Sequence, residues 1–170
     1  VGDILSAAEL ESNRYTMKIA PHSCNKLCRE AITTVEHRKP EGVKLYYTSE
    51  VDDCYELITD GQRVCQILIN FLTNAEKHTT QGEIRLHCSL TENPGYVTFS
   101  VTDTGTGIPP EYSETIFERF EKADSFGQGT GLGLNICRLI AERLKGKVLL
   151  DKEYKEGARF VFVLPVKKSI

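Results

Sequence analysis

The stretch from Asp60 to Thr79 constrains the fold of this chain more than any other. Its apolar residues recur at the three- and four-residue spacing of one helical face, which predicts a long amphipathic helix. That face consists of Val64, Ile67, Leu68, Phe71, Leu72 and Ala75. Asp60 is a suitable N-cap residue, and Gln81 and Gly82 suit the end of the helix. The core of the protein must therefore form against this helix.

A second row of side chains at helical spacing holds amides and cations but no carboxylate. The row consists of Arg63, Gln66, Asn70, Asn74, Lys77 and His78. A solvated helix face usually mixes Glu with Lys, whereas amide oxygens beside an ammonium suit a hard cation that also binds phosphates. The row therefore predicts a magnesium-phosphate face. The alternative is an ordinary helix with polar residues at its margin, which two later glycine-rich stretches of the chain disfavour.

The size and charge of the chain limit the number of domains and the kinds of partner that are expected. It has 170 residues, which fits one domain with a packed core. Its net charge is -3 and its pI is about 5.9, with acidic and basic residues interspersed. Such a distribution offers no basic surface for a duplex or an anionic membrane, so neither nucleic acid nor a membrane is expected as a partner.

The cysteines and the hydropathy pattern predict a compartment. The six cysteines form no Cys-x-x-Cys pair, and we interpret them as reduced, mostly buried thiols, with zinc binding a minor alternative. No apolar run approaches the roughly 20 residues of a membrane span, and the start of the chain lacks the features of a signal peptide. The domain is therefore expected to be cytoplasmic.

Periodicity and turn residues predict an α+β fold. Helices are predicted at residues 1–12, 23–38, 60–79 and 132–144, and strands at 15–19, 43–48, 83–90, 96–103, 148–150 and 159–165. The first helix is interpreted as the end of a longer one, and Glu50 to Thr59 as a polar connection. Together these elements predict a mostly antiparallel sheet with helices packed on one face.

Two glycine-rich stretches carry the chemistry. Asp103 to Pro109 leaves a strand into a loop with glycines two apart, where bare backbone lets a flat ligand approach while the carboxylate accepts a hydrogen bond from an amine. Alone, this stretch is as typical of a simple turn. Gly127 to Leu134 places alternate glycines at a helix N-terminus, which predicts an anion site, the alternative being a hinge without a ligand.

Together these elements resemble the catalytic and ATP-binding domain of bacterial sensor histidine kinases. Asn70 to Thr79 is similar to the N box of that family, Asp103 to Pro109 to its first glycine box, Phe117 to Phe120 to its F box, and Gly129 to Leu134 to its second glycine box. The resemblance implies a Bergerat ATP-binding fold, a two-layer α/β sandwich with a flexible ATP lid. It also implies that residues 1–12 end a dimerisation and phosphoacceptor helix with its linker, and that residues 13–170 form the catalytic domain.

The resemblance further implies a role for each matching residue, with ATP and Mg²⁺ as cofactors and ADP as product. Asp103 would bind the adenine amine beside Gly105, Gly107, Ile108 and His78, the last standing where the family usually has Tyr or Phe. Asn74 would hold the metal, and Asn70 and Lys77 would face the phosphates. The backbone of Gly129, Thr130, Gly131, Leu132 and Gly133 would cradle them. Lys122 would supply a lid cation, with Arg119 as the substitute, and lid residues 110–128 are expected to order only with nucleotide.

The residue at position 70 discriminates between reaction types. Related ATPases of the same fold, such as the gyrase and MutL groups, carry a glutamate there to activate water. The amide of Asn70 cannot act as that base, which favours transfer to a histidine over hydrolysis. An ATPase or serine kinase of the same superfamily and a nucleotide-binding scaffold without transfer remain alternatives.

The phosphoacceptor histidine is expected to lie on a dimerisation domain absent from this chain. His22, His37 and His87 are interpreted as surface or structural residues, since none is followed by the Glu and Pro of the phosphoacceptor motif. The resemblance implies a homodimeric full-length protein and, as a partner, the receiver domain of a response regulator. The sensed signal and any membrane anchor of the full-length protein stay open.

Overall fold

The structure is a computed structural model that describes residues 5–12, 14–118 and 132–166, with Leu132 described by its backbone only. The helices are α1 (Ala7–Glu11), α2 (Cys24–Glu36), α3 (Gly61–His78) and α4 (Leu132–Arg143), with a 3-10 turn at Pro110–Tyr112. The strands are β1 (Ala20–Ser23), β2 (Val43–Ser49), β3 (Glu56–Thr59), β4 (Gly82–Ser89), β5 (Tyr96–Asp103), β6 (Lys147–Leu150) and β7 (Arg159–Pro165).

Five of these strands form one mixed sheet in the order β2-β4-β5-β7-β6. Strands β2 and β4 are parallel, and the other three pairings are antiparallel. Strands β1 and β3 form a separate antiparallel ribbon. Helices α2, α3 and α4 pack on the sheet. The predicted α+β fold, with a mostly antiparallel sheet and a helical layer, is confirmed.

The core lies between α3 and the sheet, where aromatic rings from both layers meet. Phe71 of α3 is fully buried, and its ring centroid lies 5.3 Å from that of Phe160 on β7. Phe99 and Phe162, paired across β5 and β7, stack at 5.7 Å. Burial of one such side chain contributes roughly 1.5–3 kcal/mol. The predicted apolar face of α3 is therefore the centre of the core.

The alternation of β5 decides where its last residue lies. Val97, Phe99 and Val101 all belong to the core cluster, and successive side chains of a strand point to opposite faces. Asp103 continues this inward set and is only 1% exposed. A carboxylate thus reaches the helical layer at the end of a central strand.

The prediction of a strand at Tyr15 to Ile19 is wrong, because the strand lies at Ala20–Ser23. This strand pairs with β3, so the prediction of a polar connection from Glu50 to Thr59 is also wrong at its end. Tyr15 donates from its hydroxyl to Oδ2 of Asp60 at 2.6 Å, and the backbone nitrogen of Lys18 donates to the same oxygen at 2.9 Å. The Asp60 carboxylate also caps α3, accepting from the nitrogen of Arg63 at 3.2 Å. The segment from Tyr15 to Ile19, whose apolar and polar residues alternate, therefore contacts the start of α3.

The N-terminal helix has its own beginning. Ser6 accepts from the backbone nitrogen of Glu9 at 3.2 Å, and Glu9 accepts from the nitrogen of Ser6 at 3.0 Å, which is a capping box. Helix α1 therefore starts after Ser6, so the described part of residues 1–12 is not one continuous helix as expected. The domain boundary after residue 12 stays a prediction. Among the described residues, no helix combines the length and the apolar character that a bilayer crossing requires.

Candidate functional site

The site begins at Asp103, which the structure holds from two sides. Its Oδ1 accepts hydrogen bonds from the backbone nitrogens of Gly105 at 2.9 Å and Ala158 at 3.1 Å. The hydroxyl of Tyr154 donates to its backbone oxygen at 3.0 Å. Burial raises the pKa of the Asp103 carboxyl, and the two backbone donors oppose that rise. Its Oδ2 accepts no hydrogen bond from the described residues, so it remains an acceptor for a ligand.

Glycines allow the backbone to approach this carboxylate. A Cβ on Gly157 would lie 2.0 Å from the backbone oxygen of Asp103, and a Cβ on Gly105 would lie 2.1 Å from that of His78. Real side chains do not tolerate such distances. Gly107 has φ of +76°, which also favours glycine. The first glycine-rich stretch is therefore built for close approach, beyond what a simple turn needs.

A cavity of about 600 Å³ opens beside this loop, and His78, Gly107, Ile108 and Gly157 are among its lining residues. The backbone nitrogen of Thr106 donates to the oxygen of His78 at 3.0 Å, which joins the loop to the end of α3. Burial lowers the pKa of the His78 imidazole, although the Asp103 carboxylate acts in the opposite direction. A neutral imidazole therefore borders the cavity at neutral pH.

Besides His78, helix α3 carries three more polar residues of the site, which precede His78 in the chain. Asn70 donates from Nδ2 to the backbone oxygen of Gly133 at 3.0 Å. Asn74 is partly buried and Lys77 is exposed. Within the described ranges, neither of these two side chains has a hydrogen-bond or ion-pair partner. Their amide and ammonium groups are therefore available to a ligand that lies along α3.

The polar row of α3 does not form one continuous face, contrary to the sequence prediction. Arg63 is 1% exposed and donates from Nη1 to Oε1 of Gln66 at 2.6 Å. Gln66 is 6% exposed and donates from Nε2 to the backbone oxygen of Leu5 at 3.0 Å. These two residues bind the N-terminal segment of the chain. Only the part of the row from Asn70 onwards lies open to a ligand.

The F-box segment is described as far as residue 118. The ring of Phe117 lies 6.5 Å from that of Phe71 on α3, and its backbone oxygen accepts from Nε of Arg138 at 3.2 Å. Several predicted site residues fall outside the described ranges, namely Arg119, Lys122, Gly129, Thr130, Gly131 and the side chain of Leu132. Gly133 is described, and it lies against the amide of Asn70.

Sequence reasoning missed the part of the site that comes from the hairpin between β6 and β7. Tyr154, Gly157 and Ala158 all contact Asp103, although they lie more than 50 residues further along the chain. In the sequence, Gly157 lies between the strands predicted at 148–150 and 159–165, where a glycine needs no explanation beyond a turn. Its role follows from the β5–β7 pairing, which brings the hairpin next to Asp103.

Comparisons with known proteins agree with this geometry. Residues 59–168 match the family described as "Histidine kinase-, DNA gyrase B-, and HSP90-like ATPase". The sensor kinase/phosphatase LuxQ of Vibrio harveyi is 34% identical over 98% of this chain, which spans 20% of that protein. Full-length ShkA in complex with AMPPNP has a TM-score of 0.82 at 32% identity, over 95% of this chain and 34% of that one.

A nucleotide-free catalytic domain of the histidine kinase ThkA matches over 88% of this chain and 97% of its own length, with a TM-score of 0.76 and 27% identity. The chain therefore belongs to the family of histidine kinase-, gyrase- and HSP90-like ATPases. Within it, the chain is a nucleotide-binding catalytic domain of the histidine kinase type. The predicted resemblance is confirmed. The chain spans about a fifth of the length of LuxQ, so what a whole protein of this kind does is a separate question.

Proposed function

We propose that this domain binds Mg-ATP and transfers the γ-phosphate to a histidine on a dimerisation domain of the same protein. The observation that carries the proposal is the pairing of two features. Asp103 presents a carboxylate oxygen that accepts no hydrogen bond from the described residues and lies beside a cavity. On α3, Asn74 and Lys77 present polar groups that have no partner within the same part of the chain. A purine nucleotide has an amine at one end and phosphates at the other, which suits this arrangement.

The purine end would lie at the first glycine-rich stretch. Oδ2 of Asp103 accepts the exocyclic amine, while the bare backbone of Gly105 and Gly107 admits the flat base. Ile108 supplies an apolar contact. The neutral imidazole of His78 borders the base and is able to stack on it or to donate a hydrogen bond.

The phosphate end would lie along α3 and at the start of α4. The partly buried amide of Asn74 has an oxygen of the kind that hard cations prefer, so it fits a magnesium ligand. Bound magnesium neutralises phosphate charge. Asn70 and Lys77 contact the phosphates, and the backbone amides from Gly129 to Gly133 cradle them at the positive end of α4.

The transfer step depends on the positions of ATP and the acceptor histidine and on neutralisation of the phosphate charge more than on a general base. A nitrogen of the acceptor imidazole attacks the γ-phosphorus, and the bond from that phosphorus to the β–γ bridging oxygen breaks as ADP leaves. Asn70 stands where the related ATPases have a glutamate, and an amide cannot take a proton from water. Lys122, or Arg119 in its place, supplies a cation for the terminal phosphate. This chemistry favours a kinase over an ATPase.

The proposal includes partners and a compartment. The phosphoacceptor domain lies in the same protein, the full-length protein is a homodimer, and the phosphoryl group passes to the receiver domain of a response regulator. The domain operates in the cytoplasm, where ATP is available. Sensor kinase names among the relatives support these partners in general terms.

The experiment combines binding and transfer. The 170-residue chain should bind Mg-ATP in calorimetry but hardly label itself with γ-labelled ATP, and adding the phosphoacceptor domain should restore an acid-labile phosphohistidine. Absence of ATP binding would overturn the proposal. Release of inorganic phosphate would indicate an ATPase, an acid-stable label a serine kinase, and binding without transfer a scaffold.

A further inference from the structure

The N-terminal segment of the chain docks on the same two helices that carry the phosphate end of the site. We call this segment, residues 5–12 and 14–18, the N-terminal strap. Gln66 binds both backbone polar groups of Leu5, accepting from its nitrogen at 3.3 Å and donating to its oxygen at 3.0 Å. Leu5 is 5% exposed. The buried Gln66 amide thus satisfies the backbone donor and the backbone acceptor of one residue, as a neighbouring strand would, and this fixes the path of the strap.

Arg63 and Asp60 hold the other end of the strap on α3. The guanidinium of Arg63 lies 5.3 Å from the ring centroid of Tyr15, a cation–π contact, while it also binds Gln66. The hydroxyl of Tyr15 donates to Asp60 at 2.6 Å. Asp60 and Arg63 are 2% and 1% exposed, so displacement of the strap would remove at least one contact from each of two buried charged groups.

Helix α4 forms the second half of the docking surface. The guanidinium of Arg143 donates to the backbone oxygens of Leu10 and Tyr15. The Leu10 side chain is 3% exposed and belongs to the core cluster. The strap therefore contacts α3 through Gln66 and Arg63, and α4 through Arg143.

The same two helices meet again at the phosphate end. Gln66 lies one helical turn before Asn70, and Asn70 donates to the oxygen of Gly133 in the first turn of α4. The relative position of α3 and α4 is therefore set from two sides, by the strap and by the Asn70 contact. A ligand that needs both helices in place benefits from a docked strap.

We propose that Arg63, Gln66 and Arg143 form a docking surface for the strap, and that docking of the strap strengthens nucleotide binding. The second half rests on the proposed function, since it requires that the site binds ATP. By linkage, nucleotide must then stabilise the docked strap by the same factor. The three residues are positioning residues, because none of them contacts the phosphate end itself.

The test uses Gln66→Ala in the 170-residue chain, with Gln62→Ala as the matched control, since Gln62 is an exposed amide one turn earlier on α3. In Gln66→Ala, backbone amides of the strap should exchange faster by about tenfold or more. Its dissociation constant for Mg-ATP should rise by at least about threefold. In the unmodified chain, Mg-ATP should slow exchange in the strap. The control should match the unmodified chain in both measurements.

Two results would overturn the proposal. One is unchanged exchange in Gln66→Ala, which would mean that Gln66 does not hold the strap. The other is faster exchange with unchanged ATP affinity, which would mean that docking and binding are independent. Should Gln66→Ala fail to fold, Arg143→Ala gives the same two measurements from α4. Failure of the unmodified chain to bind ATP would instead reject the proposed function, while the exchange data would still decide whether the strap docks as described.

Discussion

The side-chain amide of Asn70 donates a hydrogen bond to the backbone oxygen of Gly133 at 3.0 Å and so ties helix α3 to the first turn of α4. A Cβ placed on Gly133 would lie 3.7 Å from the nearest Asn70 atoms, which is ordinary contact. This contact therefore requires the Asn70 donor but does not require glycine at position 133. The nitrogen of Asn70 therefore ties the two helices, and no described residue donates a hydrogen bond to its oxygen.

The first prediction concerns Asn70→Asp. A carboxylate cannot donate to the oxygen of Gly133 and repels both that oxygen and a triphosphate, so stability should fall by about 1–3 kcal/mol. The affinity for Mg-ATP should fall by at least about tenfold, whereas that for adenosine should change less. Calorimetry with both ligands and a urea titration measure these effects. Unchanged Mg-ATP affinity would remove Asn70 from the phosphate site.

The second prediction concerns Asp103→Asn. Asparagine keeps an oxygen for the backbone nitrogens of Gly105 and Ala158, so the fold should persist. The NH₂ group then takes the place of Oδ2. It is a hydrogen-bond donor and cannot accept a hydrogen bond from the adenine amine, which is also a donor. Adenosine and ATP should both bind more weakly, by about 1–3 kcal/mol. Calorimetry with adenosine is the direct measurement, and equal affinity in both proteins would mean that Asp103 does not bind the base.

The third prediction concerns Asn74→Asp and provides the contrast. A carboxylate at position 74 changes the charge at the metal and phosphates but lies away from the base. Mg-ATP affinity should fall by about tenfold, because the geometry of the metal and phosphates is disturbed, while adenosine affinity is largely retained. Competition between the two ligands in one titration separates the effects. Equal losses of adenosine binding in Asp103→Asn and Asn74→Asp would contradict the division of the site into a purine end and a phosphate end.

The sequence predicted a feature of the structure correctly where the pattern lies within one helix or one strand. The period of α3 predicted both its apolar face and Asn70, and the alternation of β5 predicted where Asp103 ends a strand. A helical period cannot say which neighbour covers a polar residue, so it groups Arg63 and Gln66 with the ligand face although they bind the N-terminal strap. Local patterns also cannot show that Gly157 reaches Asp103, because that contact depends on the pairing of β5 with β7.

The fourth prediction tests that long-range contact through Gly157→Ala. The added methyl group would lie 2.0 Å from the backbone oxygen of Asp103, so the hairpin must move away and release the Ala158 nitrogen from the carboxylate. We expect a stability loss of about 1–3 kcal/mol and weaker adenosine binding. Thermal unfolding and calorimetry measure both. Glu156→Ala, at an exposed neighbouring position, is the control and should leave both values unchanged.

The last prediction concerns a buried carboxyl group in α3 outside the site. Glu76 is 8% exposed, and its Oε2 has no hydrogen-bond partner among the described residues. Burial raises its pKa to about 7, although Arg38 and Lys39 act to lower it. A folded pKa above the ordinary value of 4.5 means that folding favours the neutral form. The contribution of Glu76 to stability is therefore fully present below about pH 4.5 and is lost as the pH rises to about 7.

Glu76→Gln keeps the shape of the side chain and removes its titration. At pH 8 the variant should be more stable than the unmodified chain by about 1–3 kcal/mol, and at pH 4 the two should be nearly equal. Urea titrations across this range measure the difference in the free energy of unfolding. Glu36→Gln, at an exposed position on α2, should show no such pH dependence. A constant difference between Glu76→Gln and the unmodified chain at both pH values would mean that the pKa of Glu76 is the same in the folded and the unfolded protein, and that burial does not govern its charge.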